Sequence, residues 1–127
     1  MKVKLLKHVN LTKDYLKELD VDKTGIAIMD KKGELFIFKI DHLDIKASMI
    51  LKQDVLSLGG DLALPKDTIT LTKQVVNGVL IVNKKQLELL IKKEKIQPFG
   101  LKLLAENLES HLKAITHKDI KIMGIIN

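Results

Sequence analysis

Few residues of this chain have the types and spacing that chemistry requires. No two of its four histidines stand one helical turn apart, the spacing that suits two metal ligands on one helix. These histidines are His8, His42, His111 and His117. Glu106 and Glu109 stand near lysines on a predicted helix, which favours exposure to solvent over acid–base catalysis. No serine lies in a nucleophile-elbow motif, so the residues alone indicate no catalytic and no cofactor-binding position.

A polar loop that begins at Asp20 has part of the pattern of a calcium site. Asp20, Asp22 and Gly25 occupy the first, third and sixth positions of such a loop. The fifth position is Thr24, and the twelfth is Lys31, where a bidentate glutamate is needed. The sequence therefore predicts an ordinary connector here.

Gly59 and Gly60, followed by Asp61, invite comparison with a phosphate-binding loop. Phosphate loops follow a strand and open a helix, so that the N–H groups of the helix point at the anion. Here the glycines close a predicted helix and open a predicted strand. We therefore expect a helix stop and a tight turn.

The composition is that of one small domain. The 127 residues are 46% hydrophobic and 30% charged, which is ordinary for a globular protein, and only 3% are aromatic, so aliphatic residues must build the core. No apolar run approaches the roughly 20 residues of a membrane span, and the N-terminus alternates lysine with apolar residues instead of forming a signal peptide. Cysteine is absent, which excludes disulfides. We expect a cytoplasmic protein with no membrane partner.

The net charge of +6 comes entirely from lysine, because the sequence contains no arginine. An excess of basic over acidic residues is typical of nucleic-acid-binding proteins. Bidentate contacts to bases and phosphates favour arginine, however, and stacking on bases needs aromatic residues. With one tyrosine, no tryptophan and lysines spread along the chain, the sequence predicts a solvated basic surface and no nucleic-acid partner.

Apolar periodicity predicts an α/β (α+β) fold, a single small domain with a mixed sheet flanked by helices. Predicted strands lie at residues 1–9, 25–29, 34–40, 62–64, 68–71 and 78–82. Predicted helices begin after Thr12, at Asp44 (extending to Leu58), after Asn83 with Gln86 completing a capping box, and near Pro98. The strands at 25–29 and 34–40 form a predicted hairpin with Gly33 in its turn.

The strand at 34–40 is apolar on both of its faces. Phe36, Phe38 and Ile40 alternate with Leu35 and Ile37. A strand of this kind is buried on both sides, so we expect helices on each face of the sheet, or helices on one face and a partner on the other.

The final stretch, residues 118–127, predicts a short strand that ends at Asn127. Its run of isoleucine and methionine suits a strand buried on both sides in a parallel sheet. In barrels of parallel strands the carboxyl ends carry the chemistry. We therefore expect residues 118–127 to begin a second domain, so that the chain is the front piece of a longer protein.

Three segments carry a family resemblance. The sequence Ile-Met-Gly-Ile-Ile-Asn at residues 122–127 resembles the opening of dihydropteroate synthase, where such a strand leads into a Thr-Pro-Asp-Ser-Phe loop. Residues 47–63 and the segment Gln-Pro-Phe-Gly-Leu at 97–101 resemble the extra N-terminal domain of long forms of that enzyme. The resemblance covers most of residues 45–127, and the first forty residues match less clearly.

The resemblance implies a role in folate biosynthesis. Dihydropteroate synthases are transferases in which the amine of p-aminobenzoate attacks the methylene of a pterin pyrophosphate, and pyrophosphate leaves with the help of magnesium. Their catalytic domain is a TIM barrel, and Asn127 matches the asparagine that helps to hold magnesium and pyrophosphate. A carboxamide oxygen suits such a hard cation. For the parent the resemblance implies Mg²⁺, pterin pyrophosphate and p-aminobenzoate as ligands.

The resemblance also predicts a division of the chain. Residues 1–117 would be an N-terminal accessory domain and residues 118–127 the truncated first strand of the barrel. We expect the isolated chain to be inactive and to bind no cofactor, with its own C-terminal barrel as a partner and a homodimer as a further possibility. The alternative is a stand-alone interaction or ligand-binding module. A large exposed apolar patch would favour an interaction domain, and a deep pocket with converging polar groups would favour a ligand-binding module.

Overall fold

The computed structural model describes the backbone of residues 1–122 and the side chains of residues 1–116. The strands are β1 (Lys2–Asn10), β2 (Glu34–Asp44), β3 (Asp61–Ala63) and β4 (Val75–Asn83). The α-helices are α1 (Lys13–Glu18), α2 (Lys23–Gly33), α3 (Ile45–Ser57), α4 (Lys84–Glu94) and α5 (Leu101–Ile122). None of the helices that the structure describes combines the length and apolarity needed to cross a membrane.

The four strands form one sheet in the order β1-β2-β4-β3. Each neighbouring pair is antiparallel. The predicted fold class, a small α+β domain with helices against a sheet, is confirmed. The prediction of a mixed sheet is wrong, because each strand that pairs with a neighbour runs against it.

The core lies between one face of the sheet and three helices. Phe36, Phe38 and Ile40 point from β2 into this layer and are fully buried. They pack in one cluster with side chains from α3, α4 and α5, including Leu51 and Leu104. The helices cover one face of the sheet, as expected for an antiparallel sheet.

The helix predicted from Asp44 is present as α3. The Asp44 side chain accepts hydrogen bonds from the backbone N–H groups of Lys46 (2.8 Å) and Ala47 (3.1 Å), which satisfies two donors at the helix start. The helix ends before Gly59, which has φ of +89°, a conformation that favours glycine. The predicted helix stop and tight turn are confirmed, and the short strand at 62–64 is present as β3, displaced by one residue.

The last two helices also follow their sequence signals. Asn83 and Gln86 form the predicted capping box of α4. The backbone N–H of Gln86 donates a hydrogen bond of 2.8 Å to the side chain of Asn83, and the backbone N–H of Asn83 donates one of 2.9 Å to the side chain of Gln86. Helix α5 begins just after Pro98 and buries Leu104 and Leu108. Both helices pack against the core face of the sheet.

The predicted hairpin between residues 25 and 40 is wrong in its first half. Residues 23–33 form helix α2, which begins at Asp22, whose side chain accepts a hydrogen bond from the N–H of Thr24 at 3.1 Å. Gly33 ends this helix instead of making a hairpin turn. The edge strand predicted at 68–71 is also wrong: Thr68–Thr70 is a short 3₁₀ turn.

At the other end of the chain, α5 extends to Ile122. The sequence predicted a turn at 116–119 and a strand from Lys118, whereas the structure continues the helix, in which Leu108, Leu112 and Ile115 keep helical spacing. The prediction for residues 123–127, including Asn127, lies outside the described residues.

Candidate functional site

The face of the sheet opposite the core is partly exposed to solvent. We call it the open face and define it by two rows of side chains that run across the strands. The first row, in strand order β1-β2-β4-β3, is Lys7, Ile37, Ile81 and Asp61. The second row is Lys4, Lys39, Val79 and Ala63. Directly paired residues project from the same side of a sheet, so each row forms one strip of surface.

The centre of the open face is apolar. Ile81 is 40% exposed, and Ile37 and Val79 are half-buried. A bulge in β1 adds Leu6, which is exposed beside Lys7. An antiparallel sheet that faces water on one side normally alternates buried apolar with exposed polar residues. The open face departs from that pattern at its centre, as expected for a surface that another protein surface covers.

A second surface feature is a cleft of about 490 Å³ between α2, α4 and α5. Leu89, Ile91 and Leu112 supply its apolar lining. Its charged residues are Lys31, Lys85, Lys92, Lys113, Glu88 and Glu109. The cleft therefore combines apolar lining residues with a rim on which lysines outnumber glutamates.

Ion pairs neutralise part of that rim. Lys31 lies 2.9 Å from Glu88, which joins α2 to α4. Lys95 donates a hydrogen bond of 2.9 Å to Glu109, and this bond lowers the pKa of that carboxyl, as does the charge of Lys113. Glu109 therefore stays ionised and acts as an ion-pair partner, not as a proton donor.

A third cluster joins β1, β2 and α4 at one end of the sheet. Nε2 of His8 lies 2.7 Å from an oxygen of the buried Glu34, and Nζ of Lys84 lies 3.8 Å from the other. The His8 ring also packs against Phe36 with 4.6 Å between ring centroids. Each charged group has a partner within the fold, so the cluster holds elements together.

The most perturbed titratable group is Glu94 at the end of α4. Its side chain is fully buried, and no N–H or O–H group among the described residues donates a hydrogen bond to either carboxyl oxygen. Burial raises its pKa to about 8, with further contributions from a hydrogen bond to Asp54 and from the charge of that carboxylate, while Lys93 acts in the opposite direction. Two ionised carboxylates offer only acceptors, so Glu94 bonds to Asp54 only when Glu94 is protonated.

Asp54 itself is held by its neighbours. Its Oδ2 accepts a hydrogen bond of 3.1 Å from Nε2 of Gln97, and its Oδ1 lies 3.6 Å from Nζ of Lys93. Asp54 belongs to α3, whereas Glu94 and Lys93 belong to α4. The pair therefore sits where two core helices meet.

Glu94 was not predicted from the sequence as a buried titratable residue, although its position relative to the apolar residues of α4 indicates one. Leu87, Leu90 and Ile91 are the buried residues of α4, and Glu94 follows them at i+7, i+4 and i+3. That spacing places Glu94 on the same face of the helix. A carboxyl at a core position of an amphipathic helix predicts a raised pKa.

The structure separates the other residues that the sequence considered for chemistry. His8, His42 and His111 lie in different parts of the fold, and the described residues contain no group of three or more His, Cys, Asp or Glu that could hold a metal. Asp22 caps α2, and Thr24 and Gly25 lie within that helix, so the loop predicted from Asp20 is present only up to Asp22. Glu106 is exposed as predicted, whereas Glu109 is half-buried in its ion pairs.

Comparison with known proteins relates this small α+β domain to part of a larger protein. The bifunctional dihydropteroate synthase/dihydropteroate reductase of Helicobacter pylori is 45% identical to the chain over 115 residues. The match covers 91% of this chain and 30% of that protein, so the chain spans less than a third of the relative's length. No family model and no solved structure matches the chain. The chain is thus related to one part of a protein named for dihydropteroate synthesis and reduction.

Proposed function

We propose that this chain is an accessory interaction domain of a longer protein that makes dihydropteroate in the cytoplasm. The observation that carries the proposal is the open face, whose exposed apolar centre suits a protein surface better than solvent. The cleft between α2, α4 and α5 is open and partly neutralised by its own ion pairs. An interaction domain accounts for both features without assigning catalysis to the described residues.

The size of the relative supports a separate catalytic domain. The 115 matched residues are 30% of the relative, which leaves about 270 residues outside the match. A TIM barrel takes about 250 residues. The matched part and a barrel together account for the relative's length, so we assign barrel chemistry to the longer protein and accessory duty to residues 1–117.

The first test is an activity measurement on the chain and on its longer parent. We expect the 127-residue chain, incubated with p-aminobenzoate, pterin pyrophosphate and Mg²⁺, to release no pyrophosphate above the uncatalysed background. Barrel enzymes collect their catalytic residues from the ends of several strands, and this chain supplies one such position at most. The parent protein serves as the positive control. Turnover by the chain alone would contradict the accessory role.

The second test concerns Asn127, which lies outside the described residues. By resemblance its carboxamide helps to hold Mg²⁺ and pyrophosphate in the parent, so Asn127→Ala there should reduce turnover by at least about tenfold, the scale expected when a group that orients a metal site is lost. Circular dichroism should show an unchanged fold. Asn107→Ala, a change in α5 far along the chain from that position, is the matched control. Full activity in the Asn127→Ala protein would remove the role given to this residue.

A second candidate function rests on the other activity in the relative's name. The rest of the relative is long enough for one barrel, so the matched part is free to serve the second activity. The cleft combines apolar lining residues with lysines, which suits a ring with an anionic group. On this view the domain contributes to dihydropteroate reduction. Lys85→Glu with Lys92→Glu in the parent would then impair reduction and spare synthesis. Equal rates for the parent and this double variant in both assays would favour the interaction role alone.

A further inference from the structure

Charge is distributed unevenly over the open face. The β1 edge carries Lys4 and Lys7, the β3 edge carries Asp61, and Ile37 and Ile81 lie between them. Neighbouring strands lie about 4.8 Å apart, so three spacings separate Lys7 from Asp61 by about 14 Å. That separation is too long for an ion pair within one chain. The two edges therefore present opposite charges outward, on either side of an apolar centre.

We propose that two copies of this chain associate through their open faces, about a two-fold axis that runs parallel to the strands between β2 and β4. This symmetry exchanges the β1 edge of one copy with the β3 edge of the other. Lys7 of each copy then faces Asp61 of the other copy, and Ile37 of each faces Ile81 of the other. An interface of this kind must be complementary to itself, and the order basic, apolar, apolar, acidic in the first row fulfils that condition.

The geometry of stacked sheets fits these contacts. Two sheets that pack face to face lie about 10 Å apart, a gap that a lysine and an aspartate side chain span together. Four isoleucines, two from each copy, fill the centre. In the second row Lys39 faces Val79 of the other copy; its stem can lie on the valine while its ammonium stays near Asp41, 3.6 Å away in its own chain.

The charge pattern of the open face favours a second copy of the chain over other binding partners. Nucleic acid or an anionic membrane selects a uniformly basic surface, whereas Asp61 gives the open face an acidic edge. The face is roughly 19 Å wide and 25 Å long from strand spacing and rise, so each copy contributes on the order of 500 Å². Interfaces of that size are at the weak end of specific association. We therefore expect a reversible dimer that dissociates in the micromolar range.

Sedimentation equilibrium of the 127-residue chain from micromolar to millimolar concentration tests the proposal, which does not depend on the folate assignment. We expect a monomer–dimer equilibrium that weakens as salt screens the Lys7–Asp61 pairs. Ile81→Lys should weaken dimerisation at least tenfold, because it places two charges in the apolar centre. A wild-type chain that stays monomeric throughout overturns the proposal, as does an Ile81→Lys variant that dimerises like the wild type.

A charge-reversal mixture tests the predicted pairing directly. Lys7→Asp alone and Asp61→Lys alone should each dimerise poorly, because each faces like charges across the interface. An equimolar mixture of the two variants should form a heterodimer, since the reversed charge in one copy then meets an unlike charge in the other. Lys102→Asp, an exposed change on α5, is the matched control and should dimerise normally. Failure of the mixture to associate more strongly than either variant alone overturns the assigned symmetry.

Discussion

Replacing Leu51 with alanine should lower the free energy of unfolding by roughly 2–5 kcal/mol, the range for truncating a buried leucine. Leu51 lies at the middle of α3 and is fully buried in the core cluster with Phe38 and Leu104. Its removal leaves a cavity between the helix layer and the sheet that close-packed neighbours fill only in part. Denaturant unfolding followed by circular dichroism measures the difference.

Leu56→Ala provides a matched control on the same helix. Leu56 is 50% exposed, so the same chemical change there should alter the unfolding free energy by only a few tenths of a kcal/mol. The contrast between the two variants isolates burial from helix propensity. Similar losses at both positions would contradict the placement of α3 against the sheet.

Helices α3 and α4 were predicted correctly because each has both a capping residue at its start and apolar residues at helical spacing. Asp44 and Asn83 each cap an apolar stripe, and both caps are present in the structure. Helix α2 was missed because Gly25, Ile26 and Ala27 suggested a short apolar strand, although Asp22 supplied a cap. Caps set helix starts locally, which is why they were more reliable here than short apolar runs.

The open face was predictable in part. The apolar pattern on both faces of β2 predicted either helices on each face of the sheet or helices on one face and a partner on the other. The structure shows helices on one face. The row of side chains from Lys7 to Asp61 could not be predicted from the sequence. It depends on strand register and on the bulge at Leu6, which moves Lys7 onto the open face. A shift of one residue reverses the face of a side chain, and a single sequence does not determine that shift.

The two proposed partners can bind the domain together. A dimer through the open face leaves accessible the turn between α4 and α5 and the first turn of α5, where Ile96, Phe99 and Leu103 are exposed. We propose that this second apolar group contacts the barrel of the longer protein. An accessory domain with these two surfaces would join two catalytic domains into one assembly. Its loss should then change the oligomeric state of the parent more than its turnover.

The contribution of Glu94 to the stability of the chain should fall as the pH rises from about 4.5 to about 8, and Glu94→Gln should remove that contribution. The pKa of Glu94 is raised from 4.5 to about 8 in the folded chain, so the unfolded state releases this proton first. The stabilisation is therefore complete below the unfolded pKa and is lost as the pH rises through the folded pKa. Each pH unit between the two values costs about 1.4 kcal/mol, for a total of roughly 3–5 kcal/mol.

Glutamine at position 94 keeps the shape of the protonated acid and can still donate a hydrogen bond to Asp54. Urea unfolding of both proteins at pH 5, 6, 7 and 8 measures the effect as a difference, which cancels the titration of other groups. We expect similar stabilities at pH 5 and a variant that becomes progressively more stable than the wild type toward pH 8. Glu106→Gln, at an exposed position, should follow the wild type throughout. Parallel profiles for the wild type and Glu94→Gln would show that Glu94 does not bury a proton at the contact between α3 and α4.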